Sequence, residues 1–307
     1  MLLAGGTGGA RLAIGLRDEL GPGALTVVTN PGDDLDVWGL RVCPDADAVL
    51  FRLAGIFNDR AGFGIADDTA ALLGQLRALG EETWFHVGDR DLAFHVLRTA
   101  WLRRGWRLTE VMLELARRLG VEVRVLPATD DDVRTQFLTD AGRLPFQEYF
   151  VRRRLRPPLH AIELTGIEHA CPTPEVLSAL NAADLVVIGP SNPLISIEPI
   201  LRVVGEALPL QRTVAISPIV GGRALKGPTV EMLRAIRGDT TPEGVALGYR
   251  GIARWFVLDV VDAGRRAAVE KTGCGVLVMD TVMGDAAGAR RVARELLSKV
   301  RTHLGRQ

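Results

Sequence analysis

Met1-Leu2-Leu3-Ala4-Gly5-Gly6-Thr7-Gly8-Gly9-Ala10-Arg11 opens the chain, and the reading of this stretch decides the fold. Met1 to Ala4 is apolar and runs straight into glycine, which predicts a buried strand ending in a tight turn. From Arg11 to Leu20, apolar residues fall at Leu12, Ile14, Leu16 and Leu20 among polar ones. That is a helical pattern, closed by Gly21-Pro22-Gly23. Ala24 to Thr29 reads as the next strand. Strand, glycine loop, helix and strand make a βαβ unit.

The same alternation returns after residue 165. Asp184 to Gly189 carries a continuous apolar run, as expected of a strand buried on both faces of a parallel sheet. Helices are predicted before it (Pro174 to Asn181) and after it (Ile197 to Glu206). Arg212 to Ser217, Trp255 to Val260 and Gly275 to Asp280 read as further strands, and Ala286 to Val300 as a closing amphipathic helix. The middle of the chain has a different texture. Thr69 to Leu79, Asp91 to Arg103 and Leu108 to Leu119 read as helices. Gln136-Phe-Leu and Glu148-Tyr-Phe-Val-Arg, around a turn at Ala141-Gly142, read as hairpin strands that His160 to Leu164 joins. The expected architecture is α/β: a Rossmann-like, mostly parallel sheet from residues 1–54 and 166–307, interrupted by a helical and β-hairpin insertion at 55–165.

Composition narrows the function classes. With 307 residues, 47% hydrophobic and 24% charged, the chain has an ordinary globular make-up. Thirty-seven basic residues balance 37 acidic ones, so bulk attraction to nucleic acid or an anionic membrane is not expected, and an anionic ligand must be held by local donors. The run Arg152-Arg153-Arg154-Leu-Arg156 reads as a solvated face. Cys43, Cys171 and Cys274 are widely spaced and odd in number, which suits a reduced compartment. No apolar run approaches the ~20 residues of a membrane span, and no basic segment precedes an apolar core at the start. The expected location is cytoplasmic.

Five segments carry the chemistry. In Gly5-Gly6-Thr7-Gly8-Gly9, glycines allow close approach of a ligand, and the following helix offers free N–H groups and the positive end of its dipole, a cradle for phosphate. No Gly-Lys-Ser/Thr follows, so this is not a Walker A loop. The position where a dinucleotide fold would carry an acid is Asn30. A glycine turn used only for packing is the competing reading. Next, Asn30-Pro-Gly-Asp33-Asp34-Leu-Asp36 and Cys43-Pro44-Asp45-Ala46-Asp47 place five carboxylates at the carboxyl edge of the second strand. Hard oxygen ligands there suit Mg2+, which takes one or two carboxylates plus phosphate oxygens. Helix capping and loop solvation are preferred for Asp36 and Asp45, and the two readings stand even for Asp33, Asp34 and Asp47. Third, His86, Asp89 and Arg90 cluster at a strand end before a helix that Asp91 is suited to cap, while His95 inside that helix reads as structural. Fourth, Gly189-Pro190-Ser191-Asn192-Pro193 follows a buried strand and offers polar groups for a base, ribose or phosphate, with Ser196 as an N-cap. Fifth, Ser217-Pro-Ile-Val-Gly221-Gly222-Arg223 and Lys226 supply local positive charge.

Taken in order, these motifs resemble the 2-phospho-L-lactate transferase family, which makes the precursor of the deazaflavin coenzyme F-420. The resemblance spans residues 5 to 228. It implies an enzyme that moves a phospholactyl or phosphoenolpyruvyl group from a guanosine-diphosphate ester to the ribityl hydroxyl of the deazaflavin Fo, releasing GMP. The wording of Cys43-Pro44-Asp45 and of Gly88 to Ala93 leans toward the enolpyruvyl branch. By the same resemblance, Gly5, Gly6, Thr7, Gly8, Gly9, Arg11, Asn30, Ser191 and Asn192 bind the nucleotide. Asp33, Asp34 and Asp47 hold Mg2+. Asp47, His86, Asp89 and Arg90 face Fo, and Asp47 and Asp33 are catalytic, with Asp47 as the base. A homodimer is implied, with no nucleic-acid or membrane partner. The chain departs from the family pattern at His86, often basic in the archaeal branch, and in having only Met1 to Ala4 ahead of the glycine loop. Another nucleotide-dependent transferase with a different acceptor, or a nucleotide sensor, are the alternative functions.

Overall fold

The computed structural model describes residues 1–224 and 227–304. Lys226, expected near a phosphate, lies outside the described residues. Seven strands form the central sheet: β1 (Leu2–Ala4), β2 (Thr26–Thr29), β3 (Arg124–Pro127), β4 (Val186–Ile188), β5 (Thr213–Ile216), β6 (Trp255–Asp259) and β7 (Gly275–Met279). Their spatial order is β7-β6-β5-β4-β1-β2-β3, and every neighbouring pair is parallel. This is the doubly wound Rossmann order with a seventh strand added.

The apolar runs follow from burial on both faces. Leu2, Val27, Val125, Val187, Val214, Val257 and Leu277 pack into one layer with the helices α1 (Gly6–Leu20), α2 (Pro44–Leu53), α5 (Leu108–Arg118) and α11 (Ala286–Leu304). Leu3, Val28, Leu126, Ile188, Ala215 and Phe256 point the other way, under α6 (Pro174–Ala182), α7 (Glu198–Val204), α8 (Thr229–Arg237) and α9 (Pro242–Leu247). Two further helices, α3 (Ala71–Ala78) and α4 (Asp89–Leu102), lie between α2 and α5 in the chain, and the short α10 (Arg266–Glu270) precedes β7.

Two expectations differ from what is observed. The stretch 55–165 does not stand apart from the sheet domain: β3 is its edge strand, pairing with β2 from Thr26↔Arg124 to Thr29↔Pro127, and α5 packs in the main core. An Arg at one end and a Pro at the other hide so short a strand. The hairpin also forms differently. Arg134–Thr139 pairs antiparallel with Gly142–Pro145 and with Leu159–Thr165, whereas Glu148–Arg152 is a π-turn. Its aromatics suggest a strand because they serve packing, Tyr149 against Phe137 and Phe150 against Phe146.

Candidate active site

The order of strands reverses between β1 and β4, and in such sheets ligands bind beyond the carboxyl ends of the strands at that point. Both loops singled out above lie there, one after β1 and one after β4. Between them and the segments around α2 and α4 opens a cleft of about 610 Å3, lined by Gly5, Gly6, Thr7, Gly8, Asp33, Asp45, Asp47, Asp91, Ser191 and Asn192 among others.

The glycine-loop side is made of backbone. Gly5 is the N-cap of α1 and donates no side-chain cap, so Gly6 to Gly9 form the first helical turn rather than a free loop. The N–H groups of Thr7 and Gly8 have no intrahelical acceptor, Gly6 N–H faces the Asp45 carboxylate, and the first turn itself holds no acidic side chain. The glycines are required by packing. A Cβ on Gly8 would lie 2.7 Å from Pro190 O, and one on Gly9 would lie 2.6 Å from the Ala4 Cβ. Ser191 staples the two loops, its hydroxyl donating to Gly5 O at 2.7 Å and accepting from Gly5 N at 3.3 Å. Asn192 Oδ1 accepts from Leu194 N at 2.9 Å, so Asn192, not Ser196, caps the turn Pro193–Ile197. Arg11 lines the cleft with its guanidinium on Met283 O, Gly284 O and Asp59.

The opposite side is made of buried carboxylates. Asp33 Oδ1 accepts from Gln147 Nε2 at 2.6 Å, and its pKa is raised well above the usual range, first by burial and then by the charge of Asp45. Asp45 sits beneath the glycines and is pushed up to about 6 by burial. Asp47 is in contact with Arg98, a guanidinium with no solvent exposure. Its other oxygen, Oδ2, is buried without a hydrogen-bond partner, 3.7 Å from His95 Nδ1. His95 Nε2 lies 3.4 Å from Asp91 Oδ1. Burial lowers the His95 pKa to about 4 and raises that of Asp91 to about 7.

Several expected residues fall elsewhere. Asn30 is a strut off the cleft, its amide donating to Asp45 at 2.8 Å and to Ile195 O at 3.0 Å. Asp34 is turned away from the cleft and accepts from the Cys43 thiol at 3.0 Å, and burial lifts its pKa to about 7. His86 lines the cleft from an irregular segment rather than a strand end. Asp89 and Arg90 do not line it. Asp89 caps α3, accepting from Thr69 Oγ1, Ala71 N and Leu72 N. The Arg90 side chain holds Ala66 O. Asp91 is no cap either: Asp68 accepts from Arg90 N and Asp91 N and closes the start of α4.

Asp45, Asp91 and His95, read from the sequence as capping or structural residues, line the cleft, and Arg98, which the sequence did not single out, lies behind them. The signal was present: Asp91, His95 and Arg98 recur at i, i+4 and i+7, one face of a helix, where charges facing a core need a purpose. Nor did the sequence single out an aromatic wall, Phe63, Phe85, Phe146 and Phe150, scattered over three segments.

The donor set fits a hard cation in part. Asp33 and Asp47 share the cleft with the phosphate cradle, and Asp47 Oδ2 is an orphaned acceptor. Among the described residues no group of three His, Cys, Asp or Glu side chains forms a cage by itself. Mg2+ commonly completes its shell with substrate phosphates and water.

Fold and cleft define an α/β enzyme of the Rossmann-like kind, with a glycine-rich helix start facing buried carboxylates. The chain belongs to the 2-phospho-L-lactate transferase CofD family, whose pattern matches residues 1–291, and is a transferase. It is 38% identical to a phosphoenolpyruvate transferase of Streptomyces coelicolor, covering 97% of each chain. It is 38% identical to a 2-phospho-L-lactate transferase of Methanopyrus kandleri (99% of this chain, 98% of the other) and 34% identical to that of Methanosarcina barkeri (95% and 96%). The fold is shared with a solved UPF0052-family protein of Bacillus halodurans, with a TM-score of 0.59 at 17% identity over 96% of this chain and 97% of that one. No helix among the described residues is long and apolar enough to cross a membrane.

Proposed function

We propose that the chain transfers a phospholactyl or phosphoenolpyruvyl group from its guanosine-diphosphate ester to the terminal ribityl hydroxyl of the deazaflavin Fo, releasing GMP. The observation that carries this reading is a single cleft joining three unlike surfaces: helix N–H groups, buried carboxylates and an aromatic wall. The donor's diphosphate matches the free amides of Thr7 and Gly8, and a planar deazaflavin matches Phe63, Phe85, Phe146 and Phe150.

In the reaction the hydroxyl oxygen bonds to the phosphorus bearing the lactyl or enolpyruvyl group. The bond from that phosphorus to the bridging oxygen breaks, and the oxygen departs with GMP. Phosphoryl transfer asks for alignment and charge neutralisation rather than a covalent group. Thr7 and Gly8 hold the phosphates, and Asp47, whose Oδ2 has no hydrogen-bond partner, takes the hydroxyl proton. Mg2+, held by Asp33 and Asp47, would neutralise the diphosphate charge.

Thermal shift with GDP and with Fo, each alone, tests the two halves. Stabilisation by both is expected. Stabilisation by GDP with none by Fo would favour a nucleotide sensor or a different acceptor.

A further inference from the structure

A second helix start opens into the cleft. Gly227, Pro228 and Thr229, where α8 begins, line it together with Asn192. Among the described residues no side chain caps α8, and the acid of its first turn, Glu231, is exposed. Elsewhere the chain closes such starts itself, with Thr173 on α6 and Thr241 on α9. The first N–H groups of α8 are left without a helical acceptor. Thr229 is 3% exposed. Its hydroxyl has no hydrogen-bond partner among the described residues, yet its oxygen is not sealed from solvent. Asn192 adds a third donor. Its Oδ1 is used by Leu194 N, but Nδ2 rests only on Met232 Sδ at 3.6 Å, a weak acceptor. Met232 stands three residues after Thr229, on the same helix face, so amide and hydroxyl border one patch of wall. Ser191, beside Asn192, makes the bridge to Gly5. The loop after β4 thus joins the starts of α1 and α8. Helix N–H groups, a hydroxyl and an amide, all short of acceptors, call for an oxyanion.

We infer that the start of α8, Thr229 Oγ1 and Asn192 Nδ2 form a second oxyanion subsite, which takes a phosphate or the carboxylate of the donor. The identity of that donor rests on the transferase reading. The donor carries two phosphates and a carboxylate, more than the two free N–H groups of Thr7 and Gly8 serve. Arg11, the one arginine lining the cleft among the described residues, is already held by Met283 O, Gly284 O and Asp59. The second helix start supplies the missing donors through its dipole rather than through a counter-charge.

Calorimetry on the full chain with guanosine, GDP and the donor ester tests the claim. Thr229→Val keeps the branched shape and removes the hydroxyl. It is expected to weaken the donor ester about tenfold, the worth of a hydrogen bond to a charged group. An equal loss for GDP assigns the subsite to a phosphate, and an unchanged GDP affinity assigns it to the carboxylate, which GDP lacks. Asn192→Asp keeps the Oδ1 that caps Pro193–Ile197 and sets a carboxylate oxygen where the amide donates. A larger loss with the same pattern is expected there. Guanosine is expected to bind all three proteins alike. Unchanged donor affinity in both variants, or guanosine weakened as much as the donor, overturns the subsite. Donor bound by the unaltered chain without transfer to Fo would instead sink the transferase reading alone, and the affinities would still decide the subsite.

Discussion

The two sides of the cleft are built from opposite materials. The glycine-loop side is backbone: a helix start whose glycines are packed against Pro190 and Ala4, with a serine bridge to the neighbouring loop. The opposite side is side chains: carboxylates buried in contact with one enclosed arginine and one neutral histidine. A backbone turn of this kind tolerates no added bulk, and the one buried carboxyl beneath it, Asp45, is held by Asn30 and the Gly6 backbone. A buried carboxylate network can accept substitutions of similar shape, but each member depends on its partners' charge.

That contrast can be broken in several ways. The largest expected effect is on stability. Arg98→Met leaves Asp47 buried without its cation and should cost about 3–5 kcal/mol, as such unpaired charges do. Adding Asp47→Leu should return much of it. Urea unfolding measures both, and a cost for Arg98→Met below about 1 kcal/mol would mean the pair is solvated. The next effect separates binding from chemistry. Gly8→Ala should weaken GDP at least about tenfold, because a methyl meets the Pro190 carbonyl. Asp47→Asn should leave GDP affinity within a fewfold while turnover falls roughly 100-fold or more. Calorimetry with GDP alongside turnover assays would reveal the reverse pattern if the two sides were assigned wrongly.

A smaller effect comes from pH. Asp34 and Asp91 titrate near 7 in the folded chain, Asp45 near 6, and Asp33 is also raised. A carboxyl whose folded pKa exceeds its unfolded value binds more protons when folded, so its contribution is full below the unfolded value and is lost as pH rises through the folded one. His95, lowered to about 4, acts in the opposite sense but only up to its unfolded value of 6.5. The Met1 amine, lowered to about 6 by burial, also acts in the opposite sense, and it does so across the whole window from pH 6.5 to 8. The carboxyl contribution is therefore read by difference: between pH 6.5 and 8 the unaltered chain should lose stability relative to Asp34→Asn, whose GDP affinity should be unchanged. Denaturation midpoints of the two proteins across that window check it, and parallel profiles would contradict it. The smallest effect is expected at Asp89. Its carboxylate caps α3 outside the cleft, so Asp89→Ala should lower the melting temperature by a few degrees and leave the KM for Fo alone. A selective rise in that KM would return Asp89 to the acceptor site.

The same contrast explains what could be read from the chain. The backbone side was legible. Glycines directly after an apolar run and before a helical pattern have few other uses, and the strands of a parallel sheet are apolar enough to stand out. The pattern of strands and glycines alone therefore places the two loops flanking the switch point together. The carboxylate side was legible only in outline. Asp33 and Asp47 were singled out by crowding of acids, but Asp34 and Asn30, equally crowded, turn into the protein to satisfy Cys43 and Asp45. Asp89 and Asp91 exchange the parts expected of them, because the cap of α4 comes from Asp68, 23 residues before Asp91. Such exchanges depend on which loops meet in space, and local spacing does not encode that. Arg98 escaped notice because a single arginine within a helix ordinarily faces water, and only its place one turn beyond His95 marks it as part of a buried face.

In the proposed reaction, one cleft brings the donor's phosphorus to a deazaflavin hydroxyl. Mass spectrometry of Fo after incubation with the full chain, Mg2+ and either guanosine-diphosphate ester tests it most directly. The predicted result is Fo gaining the mass of a phospholactyl or phosphoenolpyruvyl group, with an equal amount of GMP. Fo recovered unchanged with both donors, under conditions where GDP binds, would contradict it.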